Sequence, residues 1–151
     1  MTTFIIAGII IYILTAIMAD LWGKRDADKK NEDINHKKNM LIRLIFGVPV
    51  AILLNFGFMK HLFVFNQFDS YFRVGLGSVF YLAILASIYW IVFDISFALH
   101  RKLPYDYIGN TAEFDKKERK LIKNGTQILR VKVAIFAIST VFYYLWMFHK
   151  S

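Results

Sequence analysis

Four blocks of uncharged, mainly apolar residues alternate with charged segments along the chain. The blocks cover residues 4–19, 44–59, 74–93 and 133–148, and contain 16, 16, 20 and 16 residues. A helix needs about 20 residues, at roughly 1.5 Å of rise each, to cross the ~30 Å hydrocarbon core of a bilayer. Charged residues beside the shorter blocks can lie among the headgroups, where Lys and Arg side chains extend toward water. The pattern therefore predicts four membrane-spanning helices.

We predict an all-α fold, a four-span transmembrane helix bundle that forms one domain over residues 1–151. The expected spans are 4–22, 41–60, 74–98 and 128–148, with polar loops at 23–40 and 99–127. The composition agrees, because 57% of the residues are hydrophobic and 17% aromatic, whereas soluble domains are about 45–50% apolar. The first block lacks a basic leader and a clear cleavage site, so we expect it to stay as an anchor.

The basic residues are distributed unevenly between the segments that connect the blocks. Of the 19 Lys and Arg residues, seven lie in 24–43 and nine in 101–132, whereas three lie on the other side, namely Lys60, Arg73 and Lys150. Short loops rich in Lys and Arg stay in the cytoplasm. The charge distribution therefore predicts that both basic loops are cytoplasmic and that the N- and C-termini lie outside.

The second basic loop contains signals for a short amphipathic helix. Asn110 and Glu113 have the spacing of a capping box, and Gly125 resembles a C-terminal stop after Asn124. Between them lies a basic face suited to the anionic inner leaflet of the bilayer. Its members are Lys116, Lys117, Lys120 and Lys123. The alternative is a solvated connector whose few apolar residues touch the bundle.

Two carboxylates lie in or near the predicted spans. Asp94 falls near the cytoplasmic end of the third span, and Asp20 lies at the same predicted depth on the first. An ionisable group within a span is costly and indicates a proton or cation site. The competing interpretation is an ion pair, with His100, Arg101 or a basic loop residue for Asp94, and with Lys24 for Asp20. The spacing favours the ion pairs.

Other kinds of chemistry find no support in the sequence. There is no cysteine, and the four histidines show no ligand spacing, so we expect no metal and no other cofactor. No nucleophile motif or phosphate-binding glycine loop is present, and we expect no enzymatic activity. The membrane topology accounts for the basic loops, which removes the argument for nucleic-acid binding.

One stretch of the chain begins at Trp90, includes Asp94 and ends at residue 116. Its last part, residues 101–116, has the sequence RKLPYDYIGNTAEFDK. This segment resembles one found in small inner-membrane proteins of bacterial viruses and prophages. The resemblance covers about 27 of the 151 residues. It implies a bacterial cytoplasmic membrane and a loop that folds back to cap the third span as one unit with Asp94. The residues of this loop cap would be Tyr107, Gly109, Asn110 and Asp115.

Three functions are compatible with these observations. The first is a structural or interaction role in the bacterial inner membrane, in a protein that self-associates or serves a larger complex. The second is a holin-like permeabiliser of viral origin, favoured by small size and basic loops. The third is a small transporter or ion- or proton-conducting protein that uses Asp94 and Asp20, which would need these carboxylates to face a wet cavity. The sequence favours the first.

Overall fold

Four α-helices make up nearly all of the described chain. A computed structural model describes residues 2–29, 36–62, 68–107, 120 and 124–148. The helices are α1 (Thr2–Asp28), α2 (His36–Leu62), α3 (Phe68–His100) and α4 (Gly125–Phe148). Within these residues there is no β-strand. The prediction of an all-helical fold with four helices is confirmed.

Three of the helices are long and apolar enough to cross a bilayer, and the chain is by this criterion a multi-pass membrane protein. The segments are Ile6–Asp28 in α1, Tyr71–His100 in α3 and Gly125–Trp146 in α4. In α2 the apolar part, Leu44–Gly57, is shorter than a usual span, because polar residues occupy both ends of that helix. A crossing by α2 stays a prediction.

The helices extend beyond the predicted spans. The first span was expected to end at residue 22, but α1 continues to Asp28; the fourth was expected from 128, but α4 begins at Gly125. Helical hydrogen bonds are internal to the segment and do not depend on lipid, so a helix can continue into the headgroups and water. Parts of the predicted polar loops are therefore helical.

Helix α3 lies at the centre of the bundle and packs against the other three helices. Contacts of Tyr81 with Gly8 and of Ser96 with Asp20 show that α1 and α3 run in the same direction. Contacts of α3 with Trp146 and Lys132 show that α4 runs the opposite way. At one end of the bundle α1 and α3 end and α4 begins. We call this the loop end.

The buried core is small and contains aromatic and small residues. Ala51, Tyr81 and Leu85 form a buried cluster, with Tyr12 and Tyr143 packed against it. Outside this cluster the flanking helices expose large apolar side chains, such as Ile13 at 55% and Leu145 at 61%. An exposed apolar surface of this extent suits contact with lipid.

Candidate functional site

A nearly fully buried cation takes part in an ion pair between α3 and α4. The Lys132 ammonium lies 2.5 Å from a carboxylate oxygen of Asp94, and the Lys132 side chain is 5% exposed against 28% for Asp94. The same ammonium lies 4.1 Å from the ring centroid of Trp90, one helical turn before Asp94. A carboxylate and an aromatic face thus both stabilise a cation that would be costly to bury alone.

This pair favours the structural interpretation of Asp94. The sequence offered His100, Arg101 or a basic loop residue as partners, and the structure shows Lys132, which lies within the second turn of α4. Asp94 precedes the end of α3 by six residues, or about 9 Å along the axis. The pair therefore joins two helices a short distance inside the loop end.

Asp20 forms a second polar link, between α1 and α3. One of its carboxylate oxygens lies 2.9 Å from the Lys24 ammonium, the i,i+4 pair expected from the sequence. The other accepts a hydrogen bond from the Ser96 hydroxyl at 2.7 Å. Each candidate carboxylate thus has its own ammonium partner. In the described part of the chain, no group of three metal-ligating residues occurs.

Close approach of α1 to α3 at this level depends on Gly23. A Cβ at this position would lie 2.9 Å from the Cβ and Oγ of Ser96 and 3.0 Å from the carbonyl oxygen of Phe93. These distances are shorter than ordinary van der Waals contact, so a side chain there would push the helices apart. Glycine at position 23 therefore permits the hydrogen bond between Ser96 and Asp20.

Helix α3 ends in a Schellman motif whose left-handed residue is a lysine. The amide of Leu103 donates to the carbonyl of Ala98 at 2.8 Å, and the amide of Lys102 donates to that of Leu99 at 3.1 Å. These are the two hydrogen bonds of the motif. Lys102 has a φ of 55°, a region that glycine adopts without steric cost. The chain reverses here without the usual glycine.

The turn after α3 connects the ends of α1 and α4. The Arg101 side chain donates from Nε to the carbonyl of Ala27 at 2.9 Å, and from Nη2 to the carbonyl of Lys29. At its other end, Asp106 accepts a 2.6 Å hydrogen bond from the hydroxyl of Thr126. Arg101 thus caps the C-terminus of α1, and Asp106 lies at the N-terminus of α4, where a negative charge is favourable.

Gly125 is the first residue of α4. The sequence predicted that it stops a preceding helix; residues 121–123 lie outside the described part of the chain, so this stays a prediction. The Asn124 side chain caps α4 by accepting from the amide of Thr126 at 3.0 Å. A Cβ on Gly125 would overlap the carbonyl oxygen of Asp106. Glycine is needed here for packing against the turn, a requirement that a local helix-stop signal does not reveal.

Parts of the predicted loop cap and basic helix lie outside the described residues. Tyr107 closes a short turn, where its amide donates to the carbonyl of Pro104 at 2.9 Å. Lys120 is exposed. The remaining predicted residues lie outside the described ranges: Gly109, Asn110, Glu113, Asp115, Lys116, Lys117 and Lys123.

The sequence analysis missed a third polar contact, deep in the bundle. Asn55 on α2 is fully buried, and its side-chain oxygen accepts a 2.9 Å hydrogen bond from the hydroxyl of Tyr143 on α4. The ring of Tyr143 lies 5.5 Å from that of Tyr81, which in turn lies 5.4 Å from that of Tyr12. The signal was available, since Asn55 is the amide within an otherwise apolar block.

Together these contacts hold the four helices to one another. Asp94 links α3 to α4, Asp20 links α1 to α3, and Asn55 links α2 to α4. The chain matches no protein-family model, and comparison with curated proteins and with solved structures yields no match.

Proposed function

We propose that this chain is a non-enzymatic protein of the bacterial inner membrane with a structural or interaction role, acting as a self-associating unit or within a larger complex. The pairing of Asp94 with Lys132 carries the proposal. A carboxylate that serves an ion or proton path must exchange its partner during transport. This one forms a charge-assisted contact with a buried ammonium and thereby joins two helices.

The second carboxylate and the buried amide support the same conclusion. Asp20 contacts Lys24 and Ser96, and Asn55 contacts Tyr143. Polar groups used in this way stabilise helix association in a membrane, where packing and interhelical hydrogen bonds replace the hydrophobic effect. A protein that maintains one helix arrangement is suited to presenting its surface to lipid or to other proteins.

The orientation proposed here follows from the charge distribution. With the basic loops in the cytoplasm, Asp94, Lys132 and the loop end lie toward the inner leaflet, and both termini lie outside. Two single variants, Thr3→Cys and Lys102→Cys, would report the orientation in intact cells, because the sequence contains no other cysteine. Labelling of position 3 alone by a membrane-impermeant maleimide supports the orientation, and labelling of position 102 alone contradicts it.

Membrane potential in a bacterium expressing the protein tests the proposed class of function. A voltage-sensitive dye would compare cells that contain wild type, Asp94→Asn or Asp28→Asn at equal levels in the membrane. Asp28→Asn is the matched control, because it removes an exposed carboxylate from the same end of the bundle. We expect an unchanged potential in all three. Abrupt depolarisation with loss of viability would instead identify a permeabiliser, and depolarisation abolished by Asp94→Asn alone would identify conduction through this carboxylate.

The assembly is tested by measuring the mass of the purified protein in detergent. Light scattering coupled to size exclusion gives the protein mass after subtraction of the detergent. We expect an oligomer or a stoichiometric co-purifying protein. A monomer of 17.7 kDa without such a partner, also after cross-linking in intact membranes, would contradict self-association and a stable complex.

A further inference from the structure

An exposed line of four isoleucines runs along α1. Ile6, Ile10, Ile13 and Ile17 are each 49–55% exposed. They follow one another at intervals of four, three and four residues. This is the spacing of the a and d positions of a heptad, which lie in one row along a helix. We call these four residues the isoleucine seam.

The seam continues into an ion pair at the loop end. Asp20 lies three residues after Ile17, and Lys24 lies four residues after Asp20, so both occupy the next positions of the same heptad pattern. Their charged atoms lie 2.9 Å apart, and the side chains of Asp20 and Lys24 are 41% and 46% exposed. This side of α1 therefore carries an apolar row that ends in one negative and one positive charge.

Such a surface is complementary to itself when two copies of the chain lie side by side. Copies of a membrane protein share one orientation in the bilayer, so two α1 helices in contact run parallel and each seam residue lies beside its counterpart. Lys24 of one copy then lies about one helical turn from Asp20 of the other. An ammonium donates more than one hydrogen bond, and a carboxylate oxygen accepts more than one. A contact between copies can therefore be added to the pair within each helix.

Isoleucine is suited to helix contacts within lipid. The hydrophobic effect provides little attraction between helices in a bilayer, and close packing of side chains takes its place. A β-branched side chain has one strongly preferred rotamer in a helix, so isoleucine loses little conformational freedom when it packs. A row of isoleucines at heptad spacing can therefore pack against the same row of a second copy.

The exposed side of α4 lacks this complementarity of charge. It also presents apolar residues, among them Ile138 at 55% and Val141 at 57% exposure. The charged residues of α4 are Arg130, which is exposed, and Lys132, which is buried. Parallel copies that met through α4 would bring like charges together at the loop end, which is unfavourable. Charge complementarity thus favours α1 over α4 as a contact surface.

We propose that α1 binds α1 of a second copy of this chain, through the isoleucine seam together with Asp20 and Lys24. The inference rests on the proposed function and names its partner, a second copy, and the surface that binds it. The seam supplies the packing within the bilayer. The ion pairs at the loop end fix the direction and the register of the two helices.

Disulfide cross-linking in native membranes tests the proposal, because the sequence contains no cysteine. Ile17→Cys places a thiol on the seam. Met18→Cys is the matched control, since Met18 is 50% exposed against 51% for Ile17, lies at nearly the same depth, and points about 100° away around the helix. The two Cα atoms of a disulfide must lie within about 7 Å.

On oxidation with copper phenanthroline we expect a cross-linked dimer of Ile17→Cys and loss of that dimer in Met18→Cys. Both positions are exposed, so each variant is expected to keep the melting temperature of wild type. Equal cross-linking of the two variants, or no cross-linking of Ile17→Cys, would overturn the proposal.

Ile138→Cys reports on the competing surface of α4 and separates this inference from the proposed function. An oligomeric mass in detergent together with cross-linking through Ile138→Cys, but not through Ile17→Cys, would overturn the α1 contact and leave the proposed function in place. A monomeric mass without a co-purifying protein would contradict the proposed function itself.

The contribution of the ion pair is tested by Lys24→Gln in the Ile17→Cys background. Exposed ion pairs are weak, so we expect the association constant, read from the cross-linked fraction at equal membrane levels, to fall by about fivefold. Arg130→Gln in the same background is the control, because it removes an exposed cation from α4, and should leave that fraction unchanged. Equal cross-linked fractions in the two variants would overturn the proposal, since charge complementarity selects α1.

Discussion

Lys132 and Asp94 form a pair in which the cation is buried and the anion is partly exposed. The two side chains are 5% and 28% exposed, and their charged atoms lie 2.5 Å apart. Water at the loop end can therefore solvate part of the carboxylate, whereas the ammonium depends on protein contacts, namely Asp94 and the ring of Trp90. The stability of α4 against α3 is expected to depend more on keeping a partner for Lys132 than on the charge of Asp94 itself.

Replacing Asp94 with Asn should therefore destabilise the fold. The variant keeps the shape of the side chain but leaves the Lys132 ammonium without its carboxylate, which costs about 3 kcal/mol and lowers the melting temperature in detergent by roughly 6–12 °C. Asp28→Asn serves as the control, because Asp28 is exposed, and should change the melting temperature by less than about 2 °C.

The double variant Asp94→Leu/Lys132→Met tests whether that loss of stability comes from the unpaired ammonium or from the absence of the ion pair itself. Removing both charges leaves no unpaired ion, so its melting temperature should be close to that of wild type. A double variant as unstable as Asp94→Asn would contradict the interpretation that the unpaired ammonium causes the loss.

Gly23→Ala should weaken the packing of α1 on α3. The added Cβ would meet Ser96 at 2.9 Å and the Phe93 carbonyl at 3.0 Å, and overpacking of this kind costs about 1–3 kcal/mol. Gly75→Ala is a matched control on α3, since a Cβ there meets nothing within 4 Å, and helix propensity favours Ala by roughly 0.5–1 kcal/mol. Thermal unfolding in detergent should show opposite shifts; the same shift in both variants would exclude close packing at Gly23 as the cause.

A double-mutant cycle on Asn55 and Tyr143 should reveal a favourable coupling energy. Tyr143→Phe removes the hydroxyl that donates to the fully buried Asn55 amide, and hydrogen bonds between membrane helices contribute about 0.6 kcal/mol on average, up to about 1.7. Thr140→Val is the control on the same helix, because its hydroxyl donates to the Phe136 carbonyl within α4. We expect no coupling between Asn55 and Thr140, as measured by unfolding in mixed micelles. Equal couplings in the two cycles would show that the bond to Tyr143 has no specific role.

Lys102→Gly should stabilise the protein although it removes a side chain. The residue has a φ of 55°, which costs a non-glycine residue about 1–2 kcal/mol. Part of the gain is lost because glycine has more conformational freedom in the unfolded chain, so the net gain should be about 0.5–1 kcal/mol. Lys102→Ala is the control, since it removes the same charge and keeps the Cβ. Equal melting temperatures of the Gly and Ala variants would contradict strain at this turn.

Much of the architecture could be predicted from local patterns. The apolar blocks are long enough that only helices can satisfy their backbone hydrogen bonds in lipid, and the four observed helices each contain one block. The pair of Asp20 with Lys24 was also accessible, because residues four apart on a helix are neighbours whatever surrounds them. The helix ends were less accessible: α1 continues six residues past its expected end at 22, and Gly125 begins α4, where the close approach of the Asp106 carbonyl requires a glycine.

The sequence alone determined that the chain forms four apolar helices and that two of the connecting segments are basic, because block length and charge are properties of neighbouring residues. The tertiary structure decided which helix is central and which polar groups meet: Lys132 with Asp94, and Tyr143 with Asn55. In helices that are apolar on nearly every side, the hydrophobic pattern does not indicate which face turns inward. The rotation of each helix is therefore set by a few polar and small residues whose partners lie 38 to 88 positions away along the chain.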